Sequence, residues 1–188
     1  MAASPPLLLD IRRFALDDGP GIRSTVFLKG CPLACVWCHN PDAISPAAEL
    51  SLHPDRCVGC GACVAACPRQ AMAGPGGRLD RTRCGGCGAC AEACPSLALR
   101  RRGEAVPVET LAAWLLADRM FYQTSGGGVT VSGGEPTLHL DYVAALLGLL
   151  KAEAVHTAIQ TCGLFDLDSF RAKLLPRLDL IFFDIKLA

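Results

Sequence analysis

Residues 24–38 read STVFLKGCPLACVWC. The opening run, Ser24 to Lys29, is rich in β-branched, aromatic and aliphatic side chains and predicts a strand. That strand would deliver the chain to Cys31, Cys35 and Cys38, three cysteines in C-x3-C-x2-C spacing. Further along, Cys57, Cys60, Cys63 and Cys67 read C-x2-C-x2-C-x3-C, followed by Pro68. Cys84, Cys87, Cys90 and Cys94 repeat that spacing, followed by Pro95. This run with its trailing proline is the ferredoxin ligand pattern for [4Fe–4S] cubes. Four thiolates complete the coordination of a cube, whereas three leave one iron open to a substrate. The spacing therefore predicts three [4Fe–4S] clusters, two closed ones for electrons and one open one for chemistry.

Composition narrows the alternatives. The 188 residues carry 18 Lys and Arg against 18 Asp and Glu, which argues against general nucleic-acid binding. About half the residues are apolar, 51%, so a packed core is possible. No apolar run approaches the ~18–20 residues that span a membrane. Leu7–Leu9, followed by Arg12 and Arg13, has the wrong order for a secretory signal. A cytoplasmic location with reduced thiols is expected. An even cysteine count permits a disulfide framework, and C-x2-C pairs occur in zinc knuckles. Zinc explains neither the third C-x2-C step nor the prolines.

The rest of the chain predicts an α/β fold. Strands are expected at Leu7–Ala15, Ser24–Lys29, Gly128–Ser132, Val155–Thr161 and Leu178–Lys186, the last apolar through its middle like a strand buried on both faces. Helices are expected at Pro107–Gln123, with Asp118 interrupting its stripe of Leu111, Trp114, Leu115, Phe121 and Tyr122; at His139–Lys151, with Tyr142, Leu146, Leu149 and Leu150 inward; and at Asp166–Leu175. Alternating βαβ units imply a parallel sheet with ligands at the C-terminal ends of its strands. Residues 44–104 differ, being rich in Cys, Gly, Ala, Pro and Arg. CVGCGACVAACP recurs as CGGCGACAEACP, an internal repeat with little core of its own. The expected organisation is a core in two parts, 1–43 and 105–188, around a ferredoxin-like insert at 44–104. In two-cluster ferredoxins the fourth cysteine serves the other cluster. Cys57, Cys60, Cys63 and Cys94 should then hold one cube, and Cys67, Cys84, Cys87 and Cys90 the second. Arg56, Arg69, Arg78, Arg81, Arg83 and Arg100–Arg102 make the insert locally basic.

Residues 18–41, DGPGIRSTVFLKGCPLACVWCHNP, closely resemble the signature of the glycyl-radical enzyme activating enzymes, members of the radical S-adenosylmethionine superfamily. GVTVSGGEP at 128–136 resembles the Gly-Gly-Glu motif of that family, and FDIK at 183–186 its Asp-x-Lys strand. The double insert resembles the subgroup that activates glycyl-radical lyases and dehydratases beyond pyruvate formate-lyase. The resemblance implies a partial radical S-adenosylmethionine (βα) barrel, C-terminally truncated, with the two-cluster insert. It implies an oxidoreductase in which S-adenosylmethionine, held at the open iron of the Cys31, Cys35, Cys38 cube, is reductively cleaved. The resulting 5′-deoxyadenosyl radical takes hydrogen from a glycine Cα of a partner enzyme. A flavodoxin or ferredoxin is the implied electron donor; no nucleic acid and no membrane is involved. A ferredoxin-type electron carrier without radical chemistry is the alternative that residues 55–96 alone would support.

The same resemblance assigns roles. Trp37 takes the aromatic position near the adenine, and Gly133 and Gly134 let backbone approach the methionyl amino group. Asp184 and Lys186, alternating on one strand face, contact S-adenosylmethionine. Asp18 and Arg23 lie where the family grips the glycyl loop. Glu135 is read as structural, His39 as a local hydrogen-bonding group, and Cys162 as a small buried residue. In QTCG, 160–163, Gln160 stands where relatives carry a carboxylate that helps hold a monovalent cation, which puts that cation site in doubt.

Overall fold

The computed structural model describes residues 5–74 and 78–185. The chain divides into two compact units, Met1–Pro46 with Ala105–Ala188, and Ala47–Glu104.

The first unit is built on a mixed sheet. Its strands are β1 (Leu7–Ala15), β2 (Arg23–Leu28), β3 (Gly128–Gly133), β4 (His156–Thr161) and β5 (Leu180–Phe183), in spatial order β5-β4-β3-β2-β1, with the short Glu104–Ala105 strand beyond β1. β2 to β5 run parallel and β1 is antiparallel to β2. The register sets Leu28 beside Gly133 and Phe183 beside Thr161, so the parallel strands finish near one level. Helices α1 (Val108–Leu116), α2 (Arg119–Ser125), α3 (Leu140–Ala152) and α4 (Leu167–Lys173) lie between strands in sequence, as βαβ crossovers require. The core joins Val26, Leu28, Val129, Val131 and Ile159 of the sheet to Leu111 and Leu115 of α1 and Val143, Leu146, Leu147 and Leu150 of α3. β2 is buried at every position, the environment its STVFL run suits.

Several expectations change. The 107–123 helix is two helices, because Asp118 turns inward at the break. There it pairs with Arg13 and accepts from Ser24 Oγ at 3.2 Å. Trp114 and Phe121, expected inside, are 40% and 45% exposed. On α3 the buried set is Val143, Leu146, Leu147 and Leu150, and Leu149 faces out. β5 ends at Phe183 and is the outer strand of the sheet, only partly buried, so it is not covered on both faces. Asp184 therefore follows the strand, and Lys186 lies outside the described residues.

The insert unit contains two short antiparallel pairs, Glu49–Leu52 with Leu99–Arg102 and Met72–Ala73 with Arg78–Leu79. Its two short helices, Ala62–Ala66 and Ala89–Glu92, each start after a left-handed glycine, Gly61 (φ 74°) and Gly88 (φ 93°). The sequence repeat is thus a conformational repeat: in each half Cys-x-Gly-Cys-Gly wraps back on itself and ends in a helical turn. The buried cluster is Leu50, Met72, Cys90 and Leu99, against which Cys63, Cys67, Cys84 and Cys94 pack. The cysteines themselves make up much of this core.

Candidate metal and cofactor sites

In the first unit a cavity of about 450 Å³ opens past the C-terminal ends of β2, β3 and β4. That size suits a small-molecule ligand, for which about 300–1,000 Å³ is usual. Its lining includes Cys31, Cys35, Trp37, Cys38, Gly133, Gly134 and Asp184, with Asp18, Gln160 and Cys162. Every described residue of this unit that was expected to hold the open cube or S-adenosylmethionine therefore lines one cavity. Trp37 is 62% exposed, which excludes a core role and leaves its indole available at the cavity.

The cysteine loop is tied down by backbone. Gly30 N donates to Ala43 O at 2.7 Å and Cys31 N to Ile44 O at 3.0 Å, which closes the loop on itself. Glu135 N donates to Gly30 O at 2.7 Å and Gly134 N to Leu28 O at 2.8 Å, which bolts the Gly-Gly-Glu turn to the loop. A Cβ on Gly134 would sit 2.1 Å from Gly30 O, and one on Gly133 2.3 Å from the Leu28 backbone. These glycines are thus required for the turn to lie against β2 and the loop, whatever ligand they also face.

Glu135 is buried at 1% exposure and acts as a clamp. Its Oε1 accepts from Thr137 N (3.1 Å), Thr137 Oγ1 (2.7 Å) and Thr161 Oγ1 (2.9 Å), and its Oε2 from Cys162 N (2.7 Å). It joins the end of β3 to the end of β4. Two further anchors carried no readable signal. Lys29, buried at 1%, donates from Nζ to Asp42 O, and His139 Nε2 lies 2.8 Å from Lys29 O. An amphipathic strand ending in Lys reads as a solvated tip, so only the fold shows this lysine turned under the loop.

Arg23 is fully buried, not presented to a partner. Its Nε donates to Thr130 Oγ1 at 2.7 Å, Nη2 to Val129 O at 2.8 Å and Nη1 to Pro20 O at 3.2 Å. Burial pulls its pKa below the ordinary arginine value. It pins the Asp18–Gly21 turn to β3. Asp18 does reach the cavity; its Oδ2 accepts from Thr25 Oγ1 at 2.6 Å and its Oδ1 from Gln160 Nε2 at 3.4 Å. Gln160 Oε1 accepts from Ser132 Oγ at 2.5 Å. The neutral amide thus bridges β3 and the Asp18 carboxylate.

Cys162 is half-buried and lines the cavity with the three motif cysteines, so it is more than core filler. Burial and the Glu135 carboxylate push its pKa up to about 11. Cys31 is pushed up too, first by burial. Burial thus keeps both sulfurs in the thiol form while no metal is bound, and binding iron would release the proton.

In the insert the cysteines sort into two small cavities. One is lined by Cys57, Cys60, Cys63 and Cys94, the other by Cys67, Cys84, Cys87 and Cys90. The fourth cysteine of each run reaches the other run's cavity. In both, that cysteine is held below the usual thiol pKa by backbone amides: Ala71 for Cys67, Leu99 for Cys94. Such amides favour thiolate and equally suit a metal-bound sulfur. All twelve cysteines are free thiols.

Two family models match the chain: a 4Fe-4S single cluster domain over residues 17–57 and a 4Fe-4S dicluster domain over 49–95. Among curated proteins, the chain is 50% identical over 163 residues to the benzylsuccinate synthase activating enzyme of Thauera aromatica. That match covers 83% of the chain and 49% of the relative. It is 42% identical over 185 residues to the trans-4-hydroxy-L-proline dehydratase activating enzyme of Clostridioides difficile (97% and 61%). It is 33% identical over 183 residues to the pyruvate formate-lyase 2-activating enzyme of Escherichia coli (96% and 53%). The chain thus spans about half to three-fifths of the length of these relatives. In fold it resembles QueE from Escherichia coli, with a TM-score of 0.54 at 17% identity, covering 97% of this chain and 60% of that one. The three curated relatives are activating enzymes. The chain is, over nearly all of its length, a homologue of the glycyl-radical enzyme activating enzymes.

Proposed function

We propose that this chain takes part in radical activation of a glycyl-radical enzyme of the lyase or dehydratase type, as a cytoplasmic oxidoreductase. The observation that carries the reading is the convergence of Cys31, Cys35 and Cys38 with Gly133, Gly134 and Asp184 on one cavity of about 450 Å³. The donor set suits an open [4Fe–4S] cube, soft thiolates with no fourth ligand in the motif. When bound, the cube and S-adenosylmethionine would supply a hydrogen-abstracting radical by one-electron cleavage of the sulfonium.

The chain's own residues orient and enclose. Cys31, Cys35 and Cys38 would lose their thiol protons and hold three irons. Trp37 would offer its exposed indole face to the adenine, while Asp184 would accept hydrogen bonds from the cofactor. Lys186 belongs to the same proposed contact set. Gly133 and Gly134 would present backbone to the methionyl end. Gln160 supplies no carboxylate there. Asp18, which lines the same cavity, would supply negative charge for a cation.

In the insert, Cys57, Cys60, Cys63 and Cys94 would hold one closed cube, and Cys67, Cys84, Cys87 and Cys90 another. That makes three clusters in all, fed by flavodoxin or ferredoxin. Support comes from the two cysteine-lined cavities and the dicluster match. The test is anaerobic reconstitution, iron and sulfide analysis, and incubation with S-adenosylmethionine and reductant. On the order of twelve irons per chain and formation of 5′-deoxyadenosine are expected. A chain with its first cluster in place that yields none would overturn the reading.

A further inference from the structure

The two halves of the insert share a backbone but not a charge environment. In the second half, Arg69 lines the cavity of Cys67, Cys84, Cys87 and Cys90. Its guanidinium lies over Gly85; a Cβ there would meet Arg69 Cζ at 2.8 Å and Nη1 at 2.9 Å. Arg101 crosses the same loop from the paired strand. Its Cδ would be 2.8 Å from a Cβ on Gly88, and its Nε donates to Gly86 O at 2.9 Å. Two arginines are thus laid flat along the Gly85–Gly88 ligand loop, and Gly85 and Gly88 leave them room. The Asp80 carboxylate of this half is turned to Thr82, at 2.6 and 2.9 Å.

The first half has the reverse character. No charged side chain lines the cavity of Cys57, Cys60, Cys63 and Cys94 among the described residues. A Cβ on Gly59 or Gly61 would meet nothing within 4 Å, and Val58, which stands where the second half has Gly85, is 68% exposed. Cys60 and Cys87 are both exposed, so water reaches each ligand loop; Cys90 of the second site is buried where its counterpart Cys63 is half-buried, a difference that acts against the arginines and that their charge must outweigh.

Reduction adds one negative charge to a cube, and a fixed positive charge beside it favours the reduced form. Resting on the reading of two insert cubes, we infer that Arg69 and Arg101 make the two unequal. The Cys67, Cys84, Cys87, Cys90 cube is the higher-potential member and collects the electron. The Cys57, Cys60, Cys63, Cys94 cube is the lower-potential, more reducing member. Arg69 and Arg101 act as positioning and tuning groups for an electron, not as iron ligands.

The test uses the full chain with Cys31, Cys35 and Cys38 changed to alanine, so that only the insert titrates. Electron paramagnetic resonance during a redox titration is expected to resolve two separate one-electron steps. The R69Q/R101Q double variant should lower the upper step, cutting the reduced fraction about tenfold at fixed potential, equivalent to about 59 mV. The lower step should not move, and R69K/R101K should restore the upper one. R100Q, on the opposite face of the Leu99–Arg102 strand, should shift neither. Coincident steps in the parent protein overturn the inference without any variant. So does an equal shift of both steps in the double variant. Iron for fewer than two insert cubes instead overturns the two-cube reading on which it rests.

Discussion

The sheet unit and the insert both gather cysteines, but they hold them by opposite means. In the sheet unit, eighteen buried apolar residues among those described form one core, and the Cys31–Cys38 loop is closed on itself by backbone bonds at Gly30 and Cys31 and tied to the end of β3 by the Glu135 amide. In the insert, the buried cluster is four residues, one of which is Cys90. On the proposed reading, the first site is a scaffold that would exist before its metal, and the second is a scaffold that its metal would complete. Small domains with so little core depend on such staples.

Removing iron is the strongest way to break this comparison. Under anaerobic chelation, amide hydrogen exchange across 47–104 should rise to near-unfolded rates, because metal binding there is folding free energy. Amides of β2, β3 and β4 should stay protected. Equal loss in both units would contradict it. The next effect is confined to one site. C35A should abolish 5′-deoxyadenosine formation and remove about four of roughly twelve irons, leaving the insert's share. Loss of insert iron as well would mean that the sites are not independent.

The Glu135 clamp gives a smaller effect. E135A strands buried donors at Thr137, Thr161 and Cys162, at about 1–3 kcal/mol for each that finds no other partner. A fall in thermal stability by several degrees is expected, with E135Q intermediate. Stability unchanged in E135A would show that the turn is held by Gly134 and the Glu135 backbone alone. The finest effect is at Cys162. Folded, its proton is held to about pH 11, against an ordinary thiol value of 9.0. Its contribution to stability is therefore full below pH 9 and fades as pH climbs toward 11. Alkylation of this thiol in iron-loaded protein at pH 8 should be about a hundredfold slower than for an ordinary thiol, from its thiolate fraction alone. Rapid labelling would place Cys162 in a wetter site than the one beside Glu135.

What was legible in the sequence follows the same division. Ligand spacing is local, so the grouping of eleven cysteines could be read from the string, while the crossed assignment came from the two-cluster ferredoxin pattern and agrees with which cysteines line each insert cavity. Strands such as Leu7–Ala15 announced themselves through composition. The failures are tertiary. Asp118 looked like a flaw in a helical stripe, yet it breaks the helix in order to meet Arg13 and Ser24. Arg23 looked like a surface grip, and only the register of β2 on β3 shows it buried against Val129 and Thr130. Lys29 and His139 are 110 residues apart and meet through a backbone carbonyl. No periodicity encodes that. Gly133 and Gly134 were assigned to ligand approach; the fold adds a second, steric need, set by Leu28 on β2 and by Gly30 in the cysteine loop.

The central claim is that the Cys31, Cys35, Cys38 cube keeps one iron for an exogenous ligand although Cys162 shares its cavity. Electron–nuclear double resonance on the reduced protein, with S-adenosylmethionine labelled at its amino nitrogen and carboxylate, tests this directly. The account predicts hyperfine coupling to the labelled atoms and an identical result in C162S. Spectra that ignore the added cofactor in the parent protein but respond to it in C162S would show that corner already taken by the chain.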